Sequence, residues 1–206
     1  MARERPTALL IDFDGVLRHW DPTVTEAVER KYGLPTGALL ATAMEWSRAQ
    51  PAITGQITHA EWIADVSRVL GEQTGKPEAV RAAVAEWETY RGAVDPEVLG
   101  FIREVRGAGV RVGLATNATD LLDADLAALH LVDEVDVVVN SSVVGVHKPT
   151  KEYFHEACRA IRALPKQVLF VDDSDRSVQG ARAAGLAAHR WGGPRDLAYL
   201  RAAFSA

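Results

Sequence analysis

The feature that most constrains this chain is an apolar run near its start that ends in two acids. Ala8–Ile11 is short and continuously apolar, and Asp12, Asp14 and Gly15 follow it. Such a run is typical of a central strand that is covered on both faces. Gly15 permits a turn that a Cβ would hinder. Because ligands of open α/β sheets bind beyond the carboxyl ends of the strands, we expect both acids in a polar crevice.

Two carboxylates this close need a cation or a shared proton to relieve their repulsion. No Lys or Arg stands directly beside Asp12 or Asp14, and oxygen ligands alone favour a hard ion such as Mg²⁺. The alternative is a solvated acidic turn without a function. This stretch alone leaves both interpretations open.

Composition narrows the classes of protein that remain. A net charge of −5 argues against a nucleic-acid partner, since phosphate backbones are bound through clustered Lys and Arg. No apolar run reaches the length of a membrane span, and the start does not resemble a signal peptide, so we expect a cytoplasmic protein without a membrane partner. The 206 residues suit one domain with an insertion, or two small domains. The single cysteine, Cys158, excludes an internal disulfide and is expected to be buried or half-buried.

Residues 18–92 are predicted to be a helical insertion without strands. Apolar residues recur there at helical spacing, and Thr58 with Glu61 forms a capping box. We expect roughly four helices, over residues 23–32, 36–49, 58–70 and 77–90.

The tryptophans of this insertion can pack between helices or stack on a substrate. Trp46, Trp62 and Trp87 are expected to pack in the helical core, whereas Trp20 stands in the passage from the acidic strand, where it either contacts a substrate or packs a hinge.

After Gly92 the pattern alternates between strand and helix. Strands are predicted at 110–115, 135–139, 168–171 and 187–191, and helices at 96–108, 121–129, 151–163 and 177–184. This alternation predicts an α/β fold, a doubly wound, Rossmann-like parallel sheet with right-handed crossovers. The resulting domains are an α/β core of residues 1–17 and 93–206 and a small α-helical cap of residues 18–92.

Polar residues follow the predicted strands at one edge of this sheet. Thr116 and Asn117 end the second strand, Lys148 lies in the loop after the third, and Asp172 and Asp173 end the fourth. Together with Asp12 and Asp14 they are expected to form one site.

The chemistry of this set is consistent with phosphoryl transfer. Asp12 and Asp173 can hold Mg²⁺, while Thr116, Asn117 and Lys148 can donate to a phosphoryl group. An ionised Asp can attack phosphorus, and a second acid can protonate the leaving oxygen.

At this point the chain resembles the haloacid dehalogenase superfamily, in the branch of phosphatases and β-phosphoglucomutase-like enzymes with a helical cap. The resemblance covers almost the whole chain and rests on four motifs in the family's order: Asp12-Phe13-Asp14-Gly15-Val16; Ala115-Thr116-Asn117; Lys148-Pro149; and Val171-Asp172-Asp173-Ser174 with the run from Gly180 to Gly185.

The resemblance implies a role for each matched residue. Asp12 is then the nucleophile, and Asp14 is the general acid/base whose backbone carbonyl also meets the metal. Asp173 is a metal ligand, and Asp172 is a ligand or a partner of metal-bound water. Thr116 and Lys148 are implied to bind the phosphoryl group, with Asn117 placed for the substrate or phosphate.

The expected function is Mg²⁺-dependent hydrolysis of a small phosphorylated metabolite through an aspartyl-phosphate, by a monomer or homodimer. Dehalogenases of the superfamily lack an acid at the position of Asp14, so its presence favours phosphoryl transfer. The alternatives are a sugar phosphomutase with the same residues and a non-catalytic phosphate-binding module on the same fold.

Overall fold

The computed structural model describes residues 5–205, and its centre is a five-stranded sheet with every pair of neighbours parallel. The strand order is β5-β4-β1-β6-β7, so the strand before the two acids is central. The strands of this sheet are β1 (Ala8–Ile11), β4 (Arg111–Thr116), β5 (Val137–Asn140), β6 (Val168–Asp172) and β7 (Ala187–Arg190). A separate two-stranded ribbon pairs β2 (Arg18–His19) with β3 (Ala93–Val94) in antiparallel orientation.

Helices cover both faces of the sheet, which confirms the predicted doubly wound α/β fold. Leu9 and Ile11 of β1 belong to the hydrophobic cluster on one face, and Ala8 and Leu10 belong to the cluster on the other. The helices of this part of the chain are α6 (Pro96–Gly107), α7 (Leu122–Ala128), α8 (Ser141–Val144), α9 (Lys151–Ile161), α10 (Asp175–Ala183) and α11 (Leu197–Phe204). The sequence pattern did not predict α8 or α11.

Five helices lie between β2 and β3: α1 (Pro22–Lys31), α2 (Ala38–Ala43), α3 (Trp46–Ile53), α4 (His59–Thr74) and α5 (Pro77–Trp87). They enclose two hydrophobic clusters of their own, one around Leu39 and Val80 and one around Trp62 and Val66. We call this segment the helical insertion. The division into a core and a cap at residues 17 and 93 stays a prediction.

Two expectations about this segment were wrong. The helix predicted over 36–49 is two helices, because Glu45 has an extended ψ of 124° that separates α2 from α3. The segment was also expected to hold no strand, yet Arg18 and His19 form β2. Two residues are too few for an alternating pattern to be recognised.

The predicted capping box at the start of α4 is present. Thr58 accepts a hydrogen bond from the backbone of Glu61, and the Glu61 side chain accepts one from the backbone of Thr58. Among residues 5–205, no helix combines the length and apolar character needed to span a bilayer.

Candidate active site

The acids after β1 lie where the sheet topology requires. Asp12 directly follows β1, its amide donates to the carbonyl of Val171 at 2.9 Å, and its side chain is 10% exposed. Its Oδ1 also accepts a hydrogen bond from the amide of Phe13 at 2.7 Å. Because β1 is flanked by β4 and β6, residues that end those strands can approach Asp12 from both sides.

Gly15 allows the loop after β1 to lie against the end of β6. It has a φ of +84°, and a Cβ at this position would stand 2.3 Å from Oδ2 of Asp173. Any other residue would therefore be strained in its backbone and would also displace the Asp173 carboxylate. The glycine is required by a close approach as well as by a turn.

Three carboxylates converge at this edge of the sheet. Asp12, Asp172 and Asp173 each offer an oxygen, and these atoms all lie within 4.8 Å of one another. Asp172 is fully buried, and its Oδ1 accepts a hydrogen bond from the amide of Ser174 at 2.8 Å, whereas Asp173 is exposed. The two neighbouring acids of the fourth motif therefore have different surroundings.

Lys148 places its ammonium between two of these carboxylates. Its Nζ lies 2.7 Å from Oδ1 of Asp12 and 2.6 Å from Oδ2 of Asp172, and its side chain is only 3% exposed. Burial opposes the charged form, yet attraction to the two carboxylates is stronger in sum and raises the pKa of Lys148. Lys148 is thus a buried cation that links the first motif to the fourth.

The acids of this cluster are harder to ionise than ordinary carboxyls. Burial raises the pKa of Asp12 to about 8, because the loss of hydration outweighs the attraction of Lys148, and the charge of Asp172 adds to the effect. Asp173 is exposed but loses part of its hydration beside the buried acids, and this loss, followed by repulsion from Asp172, raises its pKa. One ammonium does not offset three carboxylates, so the cluster can accept further positive charge.

The second motif braces the loop that carries Lys148. Oδ1 of Asn117 accepts from the amide of Lys148 at 2.8 Å, and its Nδ2 donates to the carbonyl of the same residue at 3.1 Å. Thr116 ends β4, is 1% exposed and lines the same cavity. The hydroxyl of Tyr153 donates to the carbonyls of Val139 at 2.7 Å and Thr116 at 3.3 Å, a support that sequence reasoning missed.

The side chain of Asp14 has different hydrogen-bond partners from those of the three clustered carboxylates. Its Oδ1 accepts from Nε of Arg18 at 2.7 Å and from Nε1 of Trp20 at 2.6 Å, and its Oδ2 accepts from Nη2 of Arg18 at 3.0 Å. No Lys or Arg is adjacent to these acids in the sequence. A turn nevertheless brings Arg18, four positions after Asp14, against its carboxylate.

Arg18 itself is buried and connects distant segments. Its Nη1 donates to Oδ2 of Asp125 in α7 at 2.7 Å, and its guanidinium lies 4.1 Å from the ring centre of Phe13 and 4.5 Å from that of Trp20. Nη1 of Arg91 lies 3.6 Å from the other oxygen of Asp125. Trp20 therefore contacts both Asp14 and Arg18.

A cavity of about 310 Å³ opens over these groups. It brings together six of the seven predicted site residues: Asp12, Asp14, Thr116, Asn117, Lys148 and Asp172. The seventh, Asp173, belongs to the carboxylate cluster below.

Six other lining residues were not predicted as part of the site: Trp46, His147, Pro149, Ser174, Arg176 and Ser177. Trp46 was expected in the helical core, and that expectation was wrong, because 55% of it is exposed. Trp62 and Trp87 do pack inside the insertion. Helical spacing identifies apolar positions but does not reveal which of them face a cavity.

Comparison with known proteins places this arrangement in context. Residues 6–185 match the profile of a family described as "Hydrolase: haloacid dehalogenase-like hydrolase". The chain is 29% identical over 212 residues to Phosphatase MT3486 of Mycobacterium tuberculosis (strain CDC 1551 / Oshkosh), and the match covers 95% of each protein.

Two solved structures share the fold. A predicted HAD-like family hydrolase from Porphyromonas gingivalis has a TM-score of 0.73 at 20% identity, with 97% of this chain and 98% of that one covered. The L-2-haloacid dehalogenase from Xanthobacter autotrophicus has a TM-score of 0.65 at 22% identity, with 90% and 77% covered.

Proposed function

The chain belongs to the haloacid dehalogenase-like hydrolases, and we propose that it is a Mg²⁺-dependent phosphatase that acts on a small phosphorylated metabolite through Asp12. Its similarity to a protein named as a phosphatase over nearly the full length supports the phosphatase class. The proposed partner is therefore a small phosphate ester.

The observation that carries this proposal is the set of groups around Asp12. Its carboxylate faces the ammonium of Lys148 at 2.7 Å and has the carboxylates of Asp172 and Asp173 within 4.8 Å, and Asp12, Lys148 and Asp172 line one cavity. This set can bind a phosphoryl group, offset its charge and present a nucleophile to phosphorus.

Mg²⁺ fits the donors that are present. All three clustered acids offer oxygen, the ligand type that this ion prefers, and one ammonium leaves excess negative charge in a mostly buried crevice. Asp12, Asp172 and Asp173 would hold the ion with their side chains, and the backbone carbonyl of Asp14 is a further ligand by resemblance to the family. When bound, the ion neutralises carboxylate and phosphate charge and polarises the phosphoryl group.

The residues of the chain divide the remaining work. Asp12 attacks phosphorus in line with the leaving oxygen and becomes an aspartyl-phosphate, while Lys148 and Thr116 hold the phosphoryl oxygens. Asp14 donates a proton to the leaving alkoxide and later takes one from the attacking water. In the conformation described, Asp14 accepts hydrogen bonds from Arg18 and Trp20, so it reaches the leaving oxygen after rotating away from them.

The helical insertion is proposed to act as a cap over this cavity. Trp46 at the start of α3 lines the cavity from the insertion, so the two parts of the chain together enclose the substrate. Enclosure excludes bulk water from the aspartyl-phosphate until the leaving alcohol has departed.

A phosphate-release assay tests this function. The protein is incubated with Mg²⁺ and a panel of sugar phosphates, phosphoglycolate and nucleotides, and released phosphate is measured beside Asp12→Asn and a control, Asp123→Asn, on the exposed surface of α7. Phosphate release by the wild type and the control but not by Asp12→Asn is expected. Equal release by Asp12→Asn would disprove the role of Asp12.

The same panel separates the alternative activities. A phosphomutase would isomerise a sugar phosphate and need a bisphosphate activator, without net phosphate release. A dehalogenase would release halide from a 2-haloacid, and a binding module would retain phosphate without turnover. Each of these results would assign the protein an activity or role other than phosphatase.

A further inference from the structure

One side chain of the helical insertion reaches the cavity over the catalytic acids, and it carries no charge. Of the described residues from 18 to 92, Trp46 is the one that lines this cavity. More than half of its surface is exposed, so helix packing does not account for its position. The part of a substrate that faces the insertion therefore meets an indole ring.

Trp46 is held over the cavity from the core side. Its ring meets that of His147 edge-on, with ring centres 5.2 Å apart. Nδ1 of His147 lies 2.8 Å from the carbonyl oxygen of Lys148. Since a carbonyl oxygen only accepts, the imidazole donates from Nδ1 and is oriented by the residue that contacts Asp12.

The far end of α3 is fixed against the core as well. Gly55 follows α3 with a φ of +70°, and a Cβ there would stand 2.2 Å from the carbonyl oxygen of Ser142 in α8. The helix that carries Trp46 thus touches the core at both ends. The position of the indole is set by backbone contact and not only by its own rotamer.

The charged residues near Trp46 are paired with one another. Arg48 donates to Glu45 at 3.0 Å and to Asp65 at 3.1 Å, so the charges at the start of α3 neutralise each other within the insertion. Arg176 of the core is the contrasting group, because it lines the cavity and has no hydrogen-bond or ion-pair partner among residues 5–205. The cavity thus has an apolar wall from the insertion and a free cation on the core side.

We propose that Trp46 determines specificity and that the substrate is a phosphate monoester whose alcohol is uncharged and presents a carbon-rich face to the indole. This inference rests on the proposed phosphatase function. Apolar contact with an aromatic ring is favourable in proportion to the surface removed from water, and the insertion offers no charge to recognise an acid or a second phosphate on that side.

A series of straight-chain alkyl phosphates from methyl to hexyl tests the proposal, because the phosphoryl group stays constant while the apolar surface grows. With Mg²⁺ present, kcat/KM for phosphate release should rise about fourfold for each added methylene that reaches the indole. Trp46→Ala should abolish this dependence, whereas Trp46→Phe should keep most of it. Leu40→Ala is the matched control, since Leu40 is an apolar residue of α2, 50% exposed and outside the cavity lining.

Failure of the proposal for Trp46 can be distinguished from failure of the proposed phosphatase function. An unchanged chain-length dependence in Trp46→Ala would overturn the proposal while the phosphatase function stands. So would a wild-type preference for phosphoglycolate over butyl phosphate that Arg176→Met removes, since the cavity would then select a second anion. If the wild type released no phosphate from any ester, or if Asp12→Asn released it equally, the proposed function and this inference would both fail.

Discussion

Replacing Arg18 with methionine should destabilise the protein by about 3 kcal/mol. The guanidinium side chain is 5% exposed and pairs with Asp14 on one side and with Asp125 on the other. Methionine keeps a similar length and apolar contact with Phe13 but removes every one of these hydrogen bonds. The change therefore leaves two carboxylates without their principal cation.

The magnitude follows from the exposure of those two carboxylates. Removing one partner of a buried ion pair costs about 3–5 kcal/mol, because the other charge stays buried and uncompensated. Asp125 is 10% exposed, so its unpaired charge would be destabilising, although Arg91 at 3.6 Å would reduce the effect. Asp14 is 37% exposed and can be hydrated by water. The lower end of the range is therefore expected.

Equilibrium unfolding in urea, followed by far-ultraviolet circular dichroism, measures the effect without depending on the fluorescence of Trp20. With a slope of about 2 kcal/mol per M, the loss corresponds to a midpoint about 1.5 M lower. The control is Arg103→Met. The Arg103 side chain is 59% exposed, so its ion pair with Glu134 should contribute less than about 1 kcal/mol to the free energy of unfolding.

A double variant tests whether stability is lost because Asp125 stays buried without its cation. In Arg18→Met with Asp125→Leu, the buried carboxylate is gone, so about half of the lost stability should return. If Arg18→Met costs no more than Arg103→Met, or if the two changes at Arg18 and Asp125 are simply additive, the idea of a buried cation that compensates Asp125 would be refuted.

Three further predictions concern the site and the insertion. Because the pKa of Asp12 is raised from 3.8 to about 8, the folded metal-free protein binds this proton more tightly than the unfolded chain, so its stability should fall as pH rises from about 4 to 8. The rise in Tm that Mg²⁺ produces should grow over the same pH interval in the wild type and lose this pH dependence in Asp12→Asn. A Mg²⁺-induced rise in Tm that is the same at every pH in the wild type would contradict this prediction. Gly15→Ala should weaken the Mg²⁺-induced rise in Tm, since its Cβ would displace Asp173; an unchanged rise would argue against Asp173 as a ligand. Thr58→Ala should cost about 1 kcal/mol in urea unfolding through loss of the capping box, while Thr58→Ser should cost little.

The sheet and the convergence of the acids were predictable because they depend on short-range patterns and one topological rule. An apolar run followed by acids marks the end of a strand, and parallel strands bring such ends to one edge. Asp12, Lys148 and Asp172 are far apart in sequence, yet their place after successive strands was enough to bring them together. The contact of Lys148 with both acids was not predictable, since it depends on side-chain reach.

The network around Asp14 was not predictable because its partners have no shared sequence pattern. Arg18 and Asp125 are 107 residues apart, and nothing in the sequence near Asp125 distinguishes it from an exposed acid of a helix. Trp46 was misjudged for a related reason. Its helical spacing is compatible with a packed core, and the spacing does not reveal that Trp46, which begins α3 after the break at Glu45, lines the cavity.

A covalent bond between Asp12 and phosphorus would be detected directly as a change in the mass of the enzyme during turnover. The protein with Mg²⁺ and a hydrolysed ester is quenched in acid and digested. We expect a fraction of enzyme heavier by one phosphoryl group, with the added mass on the peptide that contains Asp12 and absent from Asp12→Asn. Steady phosphate release by an enzyme that never carries this mass, or that carries it on another peptide, would show that Asp12 is not the nucleophile.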